Sequence, residues 1–335
     1  PRQSVSRTSR DKELAMSTPT PVLIPEGATR LTVVGVPTVP QRKPEWLRHH
    51  APLAGPNYRD IKDTMRGQTL HTVCEEAKCP NIHECWEARE ATFLIGGDQC
   101  TRACGFCAIA TGKPGMLDRH EPRRVAEAVQ AMGLRFAVVT GVARDDLSDG
   151  GAWLYAETLR QIRALVPGCG VELLVPDFGG NTEHIAKITD EAPEVLAHNL
   201  ETVRSRFKHI RRGFRYDRTL EVLGLMRRML PSSSAVKSNL MLGLGETEDE
   251  VLASMRDLRD VGVEILTVGQ YLPPSHKHAA LQRYAPPEEF ERYREAGERM
   301  GFAHVESGPL VRSSYRAGRQ AESAGVWNAV SSGMT

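Results

Sequence analysis

The chain has 335 residues, 40% of them apolar and 25% charged, enough to bury a full core, which excludes a disordered chain and a disulfide-stapled mini-protein. Its 43 Lys and Arg stand against 42 Asp and Glu, a net charge of +1, which excludes a globally basic nucleic-acid binder. No apolar run approaches the roughly 18 residues of a membrane span, and the Arg- and Ser-rich residues 1–16 lack the apolar stretch of a secretory signal, so a cytoplasmic location is expected.

The chain opens on Pro1 and its first methionine is Met16, so no structure is assigned to the leading residues. Residues 21–45 are Pro-rich and read as an extended arm, making 1–45 a partly disordered extension. Cysteines dominate the next segment, 46–90. From residue 91 onward short apolar runs alternate with amphipathic stretches of helical length, the pattern of successive βα units and a parallel sheet. Strands are expected at 91–95, 136–140, 171–175, 194–198, 237–242 and 265–270. Helices are expected at 122–132, 152–166, 181–189, 217–230 and 247–261; the first opens at Pro122, and the last carries the capping-box pair Thr247 and Glu250. Six such units over 91–300 predict an α/β fold, either an open sheet or a partial (β/α)6 TIM-type barrel, followed by a C-terminal segment 301–335.

In either arrangement ligands gather at the carboxyl ends of the strands. Polar and glycine residues are concentrated there: Cys100, residues 141–146, Pro176-Asp177, His198-Asn199, residues 243–246 and Gln270-Tyr271.

Six of the seven cysteines fall between Cys74 and Cys107, a distribution that argues for bound metal over a disulfide framework. Cys100, Cys104 and Cys107 follow the first strand with x3 and x2 spacing. Three thiolates so close on one loop can each hold one iron of a cubane, leaving the fourth iron open to substrate. Cys74, Cys79 and Cys85 form a second triplet, with x4 and x5 spacing, and argue for a second cluster near the first. Zinc is the competing reading for both, with His83 available to the second, although zinc loops usually carry Cys-x2-Cys pairs.

The loop Cys100-x3-Cys104-x2-Cys107, with the aromatic Phe106 before its last cysteine, resembles that of the radical S-adenosylmethionine (SAM) enzymes. The run from Cys74 to Cys107, with Cys-Glu-Glu-Ala-Lys-Cys-Pro-Asn before Ala-Thr-Phe and the Cys100, Cys104 and Cys107 triplet, is similar within that superfamily to the lipoyl synthases. Further matches lie at residues 140–146, 175–178, 198–203 and 237–246 and at Arg312-Ser313-Ser314-Tyr315-Arg316-Ala317, so the resemblance covers roughly residues 40–320. It implies two 4Fe-4S clusters and SAM, whose cleavage gives a 5′-deoxyadenosyl radical. The expected reaction is sulfur insertion at C6 and C8 of an octanoyl-lysine, with the auxiliary cluster as sulfur source. It implies Cys100, Cys104 and Cys107 for the radical cluster, Cys74, Cys79, Cys85 and Ser314 for the auxiliary one, and Thr140, Gly141, Asn199, Gly243 and Gly245 beside SAM. Spacing alone does not choose between Ser313 and Ser314. An alkoxide is harder than a thiolate and would hold a soft cluster iron less firmly.

The implied partners are octanoylated lipoyl carrier domains (glycine cleavage H protein or a 2-oxoacid dehydrogenase E2), an iron–sulfur carrier, and a ferredoxin or flavodoxin reductant. No membrane or nucleic-acid partner is expected. The chain departs from the family's pattern at His278-Ala279-Ala280-Leu281 and at Arg212, which stands where Pro is usual. A radical SAM methylthiotransferase acting on tRNA or a ribosomal protein is the alternative, but the residues after Ala317 are too few for the β-barrel such enzymes append.

Gly243-Leu244-Gly245 lacks the third glycine of a dinucleotide fingerprint, so a strand-ending turn competes with a cofactor role there. Seven Lys and Arg between Arg204 and Arg218 read as a solvated helix face, or as a dock for an acidic carrier domain with RNA as the rival. Cys169 reads as an ordinary thiol.

Overall fold

The computed structural model describes residues 42–47, 55–67, 70–76, 79 and 81–328. Nearly all of the Pro-rich arm lies outside these residues. The elements in chain order are α1 (Pro56–Gly67), β1 (His71–Thr72), α2 (Val73–Glu76), α3 (Ile82–Glu87), β2 (Thr92–Ile95), β3 (Gln99–Cys100), β4 (Ala110–Thr111), α4 (Glu121–Ala131) and β5 (Phe136–Gly141). They continue with α5 (Ala152–Leu165), β6 (Gly170–Leu174), α6 (Thr182–Thr189), β7 (Val195–Ala197), α7 (Arg204–Ile210), α8 (Tyr216–Met229) and β8 (Ala235–Leu242). The last are α9 (Glu248–Asp260), β9 (Ile265–Gln270), α10 (Pro287–Arg299), β10 (His304–Gly308) and α11 (Ala317–Ser323).

All six expected strands and five expected helices are present, with ends displaced by a residue or so. Local chemistry sets several of those ends. The Thr247 hydroxyl accepts from Glu250 N at 3.3 Å while the Glu250 carboxylate accepts from Thr247 N at 2.9 Å, closing the capping box of α9. Asn181 caps α6 by accepting from the backbone of Glu183 and His184.

The main sheet has the order β1-β2-β5-β6-β7-β8-β9-β10. Only β1 runs antiparallel to its neighbour; every other pairing is parallel, as βα repeats require. The fold is thus the α/β partial-barrel type, and among the described residues no pairing joins β1 to β10. Strand β10 is an addition to the expected six. Its sequence His-Val-Glu-Ser-Gly buries Val305 alone, so it has neither the continuous apolar run of a buried parallel strand nor a clear alternation. Helices α1, α2, α3, α7, α10 and α11 are likewise additions.

Alternate residues divide the sheet into two chemically different faces. Phe93, Ile95, Ala137, Val139, Val171, Leu173, Leu196, Val236, Leu240, Leu266 and Val268 join the helices in one apolar core. The other face carries Thr92, Thr140, Glu172, Lys237, Asn239 and Thr267, and is sealed near the strands' amino ends by Val195, Ala235 and Ile265 packed with Phe136, Ala321 and Trp327. On this face Lys237 Nζ donates to Glu172 Oε2 at 2.7 Å, both side chains being fully buried. The pair spans two strand spacings, roughly 10 Å. A lysine has that reach, and Ala197, the register partner of Lys237 on the strand between, leaves room for it.

Burial alone pushes Lys237 down and Glu172 up, and their attraction opposes both shifts. Lys237→Met should therefore lower unfolding stability by about 3–5 kcal/mol by stranding Glu172. Adding Glu172→Leu should recover most of that loss. Both effects can be read as thermal and urea unfolding midpoints, and equal stability of the two variants would show that the pair is not energetically coupled.

Two candidate cysteine sites

Two glycines, Gly96 and Gly97, both at positive φ, turn the chain out of β2 toward Cys100. The Cys100–Cys107 loop is tied at its base, where β3 pairs with β4 (Gln99 with Ala110, Cys100 with Thr111) and Gly112 N donates to Cys100 O at 3.0 Å. Cys100 Sγ accepts from the backbone N–H of Arg102 at 3.4 Å and of Ala143 at 3.3 Å. Gly105 N donates to Ile210 O at 2.8 Å, and Ala279 N donates to Gly105 O at 2.7 Å. His278 Nε2 lies 3.1 Å from Cys107 O. The departure at residues 278–281 is therefore seated directly on the cysteine loop, with Leu281 packed near Phe106.

Burial pushes the Cys104 thiol up to about 12, with Arg211 opposing and Cys107, Glu201 and Cys100 adding to the rise. Cys107 is pushed up to about 11, again by burial first, against the Ile109 amide and with Cys100 and Glu201 reinforcing. The sulfurs of this triplet thus lie within one another's electrostatic reach. Such thiols ionise readily only when a metal cation takes the proton's place.

Post-strand segments converge on the loop through Arg102. Its guanidinium binds Asp145 at 2.7 and 2.9 Å and Asp177 at 2.6 Å, and lies 4.2 Å above the Phe214 ring. Beyond β7, Glu201 is buried with φ of +72°, an uncommon conformation for a side chain of its size, and accepts from Asn199 at 3.0 Å and Asn239 at 2.9 Å. Thr267 donates to Asn239 at 2.8 Å, completing a chain across the polar face. His198 sets Nδ1 2.8 Å from Val175 O, where it donates, leaving Nε2 to accept from Arg211 at 3.4 Å. Burial, then Arg211, lowers its pKa to about 3, so it is neutral. The sequence pattern gave no role to Arg102 or Glu201 and read Arg211 as part of a solvated face or a dock, because the partners of each lie on other elements.

Among the residues implied for SAM, Thr140 donates its hydroxyl to Leu174 O at 3.0 Å, and Asn199 Oδ1 is buried with no partner among the described residues. At Gly141 a Cβ would lie 2.6 Å from Tyr155 Oη and 2.9 Å from Ile95 O, so the glycine is needed for packing. Gly243 and Gly245 have φ of +99° and +94°, and the Glu246 carboxylate accepts from Gly243 N at 2.7 Å and Leu244 N at 2.8 Å. A strand-ending turn accounts for both glycines without a ligand.

The stretch from Arg204 to Arg218 is neither a uniform solvated face nor a uniform dock. Arg204 pairs with Asp217, Arg206 donates to Gly245 O at 3.0 Å, and Arg218 pairs with Asp177 at 2.9 Å. Arg211 is buried and donates to Thr219 Oγ1 at 3.1 Å. Lys208, Arg212 and Arg215 remain exposed.

The other triplet is gathered by short elements: Cys74 in α2, Cys79 in the following loop and Cys85 in α3. Cys79 N donates to Cys74 O at 3.0 Å and Cys85 N to Asn81 O at 2.9 Å. All three cysteines line a cavity of about 400 Å³ with Thr92, Arg312 and Ser314; Ser313 does not line it. Burial, then Cys79, pushes Cys74 up to about 11, and burial, then Cys74 and Cys79, pushes Cys85 up as well. The C-terminal motif is held against this segment by Asn81 Nδ2 donating to Leu310 O at 2.6 Å, and by Tyr315 Oη and Arg316 Nη2 each donating to Glu84 Oε1 at 2.9 Å. Thr92 Oγ1 donates to Ser314 Oγ at 2.9 Å. His83 instead stacks on Tyr58, with ring centroids 4.6 Å apart, and is not a cavity-lining residue.

The donor chemistry of both sites fits iron–sulfur clusters: three thiols each, of which burial raises the pKa of Cys74, Cys85, Cys104 and Cys107, a shift that a cationic group would reverse. Among the described residues no three His, Cys, Asp or Glu side chains are drawn together tightly enough for one ion. Cys169 belongs to neither site; it is buried in the main core.

Comparison with known proteins identifies the family. Residues 94–258 match the radical SAM superfamily, and residues 36–79 match the N-terminal domain of lipoyl synthase of the radical SAM family. The lipoyl synthase of Mycolicibacterium smegmatis is 58% identical over 299 residues, covering 89% of this chain and 94% of that one. The lipoyl synthase of Nocardia farcinica is 59% identical over 279 residues, covering 83% of this chain and 78% of that one. With identity at that level along nearly the whole of a relative, and with a cysteine triplet on a loop beyond the first parallel strand, the chain belongs to the lipoyl synthase family of radical SAM enzymes.

Proposed function

We propose that the two triplets divide the family's reaction between them: Cys100, Cys104 and Cys107 hold the cluster that binds SAM, and Cys74, Cys79, Cys85 and Ser314 hold a second, sulfur-donating cluster. The supporting observation is that one cavity is lined by three thiols from residues 74–85 together with Ser314 from the far end of the chain. When bound, the first cluster supplies the electron that cleaves SAM to a 5′-deoxyadenosyl radical, and the second is the substrate from which sulfur passes to C6 and C8 of an octanoyl-lysine.

The chain's own residues hold the reacting groups in place. Arg102, bound to Asp145 and Asp177, fixes the cysteine loop against the ends of β5 and β6. Thr140, Gly141, Asn199, Gly243 and Gly245 border SAM on this reading, with the unspent Asn199 Oδ1 free to meet one of its polar groups. Neutral His198 keeps Arg211 in place beside Cys104 and withholds a second positive charge from that loop. Ser314 would supply a harder ligand than thiolate and would hold its iron less firmly than the three cysteines hold theirs.

In this organisation residues 46–90 and 301–335 build the auxiliary site, and 91–300 form the radical SAM barrel after a 1–45 extension. The substrate is an octanoylated carrier domain, of the H-protein or E2 type. An iron–sulfur carrier rebuilds the consumed cluster, and a ferredoxin or flavodoxin supplies electrons. Among the described residues no helix is long and apolar enough to cross a membrane; a cytoplasmic location is part of this reading.

Anaerobic reconstitution should load about eight irons per chain with matching acid-labile sulfide. Stoichiometric zinc without sulfide would end the cluster reading. Replacing Cys100, Cys104 and Cys107 with Ala should abolish SAM cleavage. Replacing Cys74, Cys79 and Cys85 should leave abortive cleavage without sulfur insertion, read by mass spectrometry of an octanoyl-lysine peptide. Indistinguishable losses in the two triple variants would refute the division of roles. Ser314→Cys should still load the auxiliary cluster but slow sulfur insertion at least tenfold while SAM cleavage continues. Product formation at the wild-type rate would remove the role given to this oxygen.

A further inference from the structure

The polypeptide around Ser314 is fixed on both sides by side chains of the cysteine segment. Asn81 holds Leu310 four residues upstream, and Glu84, the neighbour of Cys85, takes hydrogen bonds from Tyr315 and Arg316 immediately downstream. Arg316 sits at φ of +51°, a left-handed conformation that a large side chain keeps only when surrounding contacts impose it. The main chain of Ser314 is thereby positioned, but its side chain still has χ1 freedom, and staggered rotamers would aim the oxygen in three different directions. Thr92 removes that freedom. Its hydroxyl donates to Ser314 Oγ at 2.9 Å from the first residue of β2, a buried strand position that does not move with the C-terminal segment. Being β-branched, Thr92 is itself restricted at χ1, so the donor is preorganised.

We propose that Thr92 is a positioning residue of the auxiliary site, whose hydroxyl aims the Ser314 oxygen into the cavity shared with Cys74, Cys79 and Cys85 and holds it there whether or not iron is bound. The inference rests on the reading of Ser314 as a cluster ligand. With iron bound, the serine oxygen is anionic and the Thr92 hydrogen bond to it is charge-assisted, which strengthens it. With iron gone, the same bond keeps the oxygen from rotating away, so the vacated corner remains ready for a new iron. Thr92 thus affects both how fast iron leaves and how well it returns.

The test uses the full-length chain, reconstituted anaerobically, as wild type, Thr92→Val, Thr92→Ser and Ser314→Ala. Two quantities are measured: the rate at which a ferrous chelator removes iron, and the iron regained when ferrous ion and sulfide are added back. Thr92→Val keeps the shape and loses the hydroxyl. It should speed early iron loss about tenfold, the size expected for one hydrogen bond to a charged acceptor, and reduce the iron regained. Thr92→Ser restores the hydroxyl and should return both values to within about twofold of wild type. Ser314→Ala should lose iron at least as fast as Thr92→Val. If Ser314→Ala is fast while Thr92→Val matches wild type, Thr92 has no positioning role and the ligand reading stands. If Ser314→Ala itself matches wild type, the serine is not a ligand and the inference goes with it. Equally fast iron loss from Thr92→Ser and Thr92→Val would show that a hydroxyl at this position does not restore the site, and would also overturn it. Should Thr92→Val fail to give a native circular dichroism spectrum, Thr92→Ala takes its place under the same outcomes.

Discussion

Strand β2 is the part on which both cysteine sites depend. Its first residue, Thr92, holds Ser314, and its last, Ile95, leads through two glycines into the loop that begins at Cys100. Four residues of parallel strand span on the order of 10 Å, and the pairing with β5 fixes that length, since Thr92 is opposite Val138 and Ile95 opposite Gly141. The separation between the two sites is therefore set by the hydrogen-bond ladder of the sheet and not by a flexible linker. A slip of one residue in this register would turn Thr92 into the helix-packed core and Phe93 toward the auxiliary cavity.

The polar face of the sheet has a similar economy. A parallel sheet normally buries apolar side chains on both faces, and here one face follows that rule against the helices. The opposite face holds Glu172, Lys237, Asn239, Glu201 and Thr267, each tied to another by a hydrogen bond of 2.7–3.0 Å where an unpaired group would cost several kcal/mol. The pairing is not complete, since Glu172 Oε1 and Asn199 Oδ1 are buried without a partner among the described residues. The same pairing explains why His198 is neutral: burial and the adjacent Arg211 leave no room for a second cation.

The repeating units were legible in the sequence because their strands are continuous apolar runs and their helices carry caps such as Thr247 with Glu250. The cysteine sites were legible from spacing, which survives translation into local structure over eight or twelve residues. What spacing does not carry is any partner from a distant part of the chain. Arg211 read as one more surface charge, yet it is buried beside His198 and Thr219. Thr92 read as one polar residue in a strand, and only the fold places it against Ser314. Strand β10 was missed for a different reason: three of its five residues are polar, His304 and Glu306 on the polar side of the sheet and Ser307 on the helix side, where it donates to Phe290 O.

The bond between Asn81 and Leu310 joins residues 229 positions apart. Contacts of such sequence separation form late, because the loop they close is long and its entropy must be overcome first. During synthesis at ~5–20 residues per second, the segment bearing Cys74 to Cys85 emerges on the order of ten seconds or more before the segment bearing Ser314. The Cys100–Cys107 loop, by contrast, has all its thiols within eight consecutive residues of the nascent chain. The two sites therefore come together at different times: the three thiols of one emerge almost at once, whereas the other unites Cys74, Cys79 and Cys85 with Ser314 only after about 230 more residues have been made.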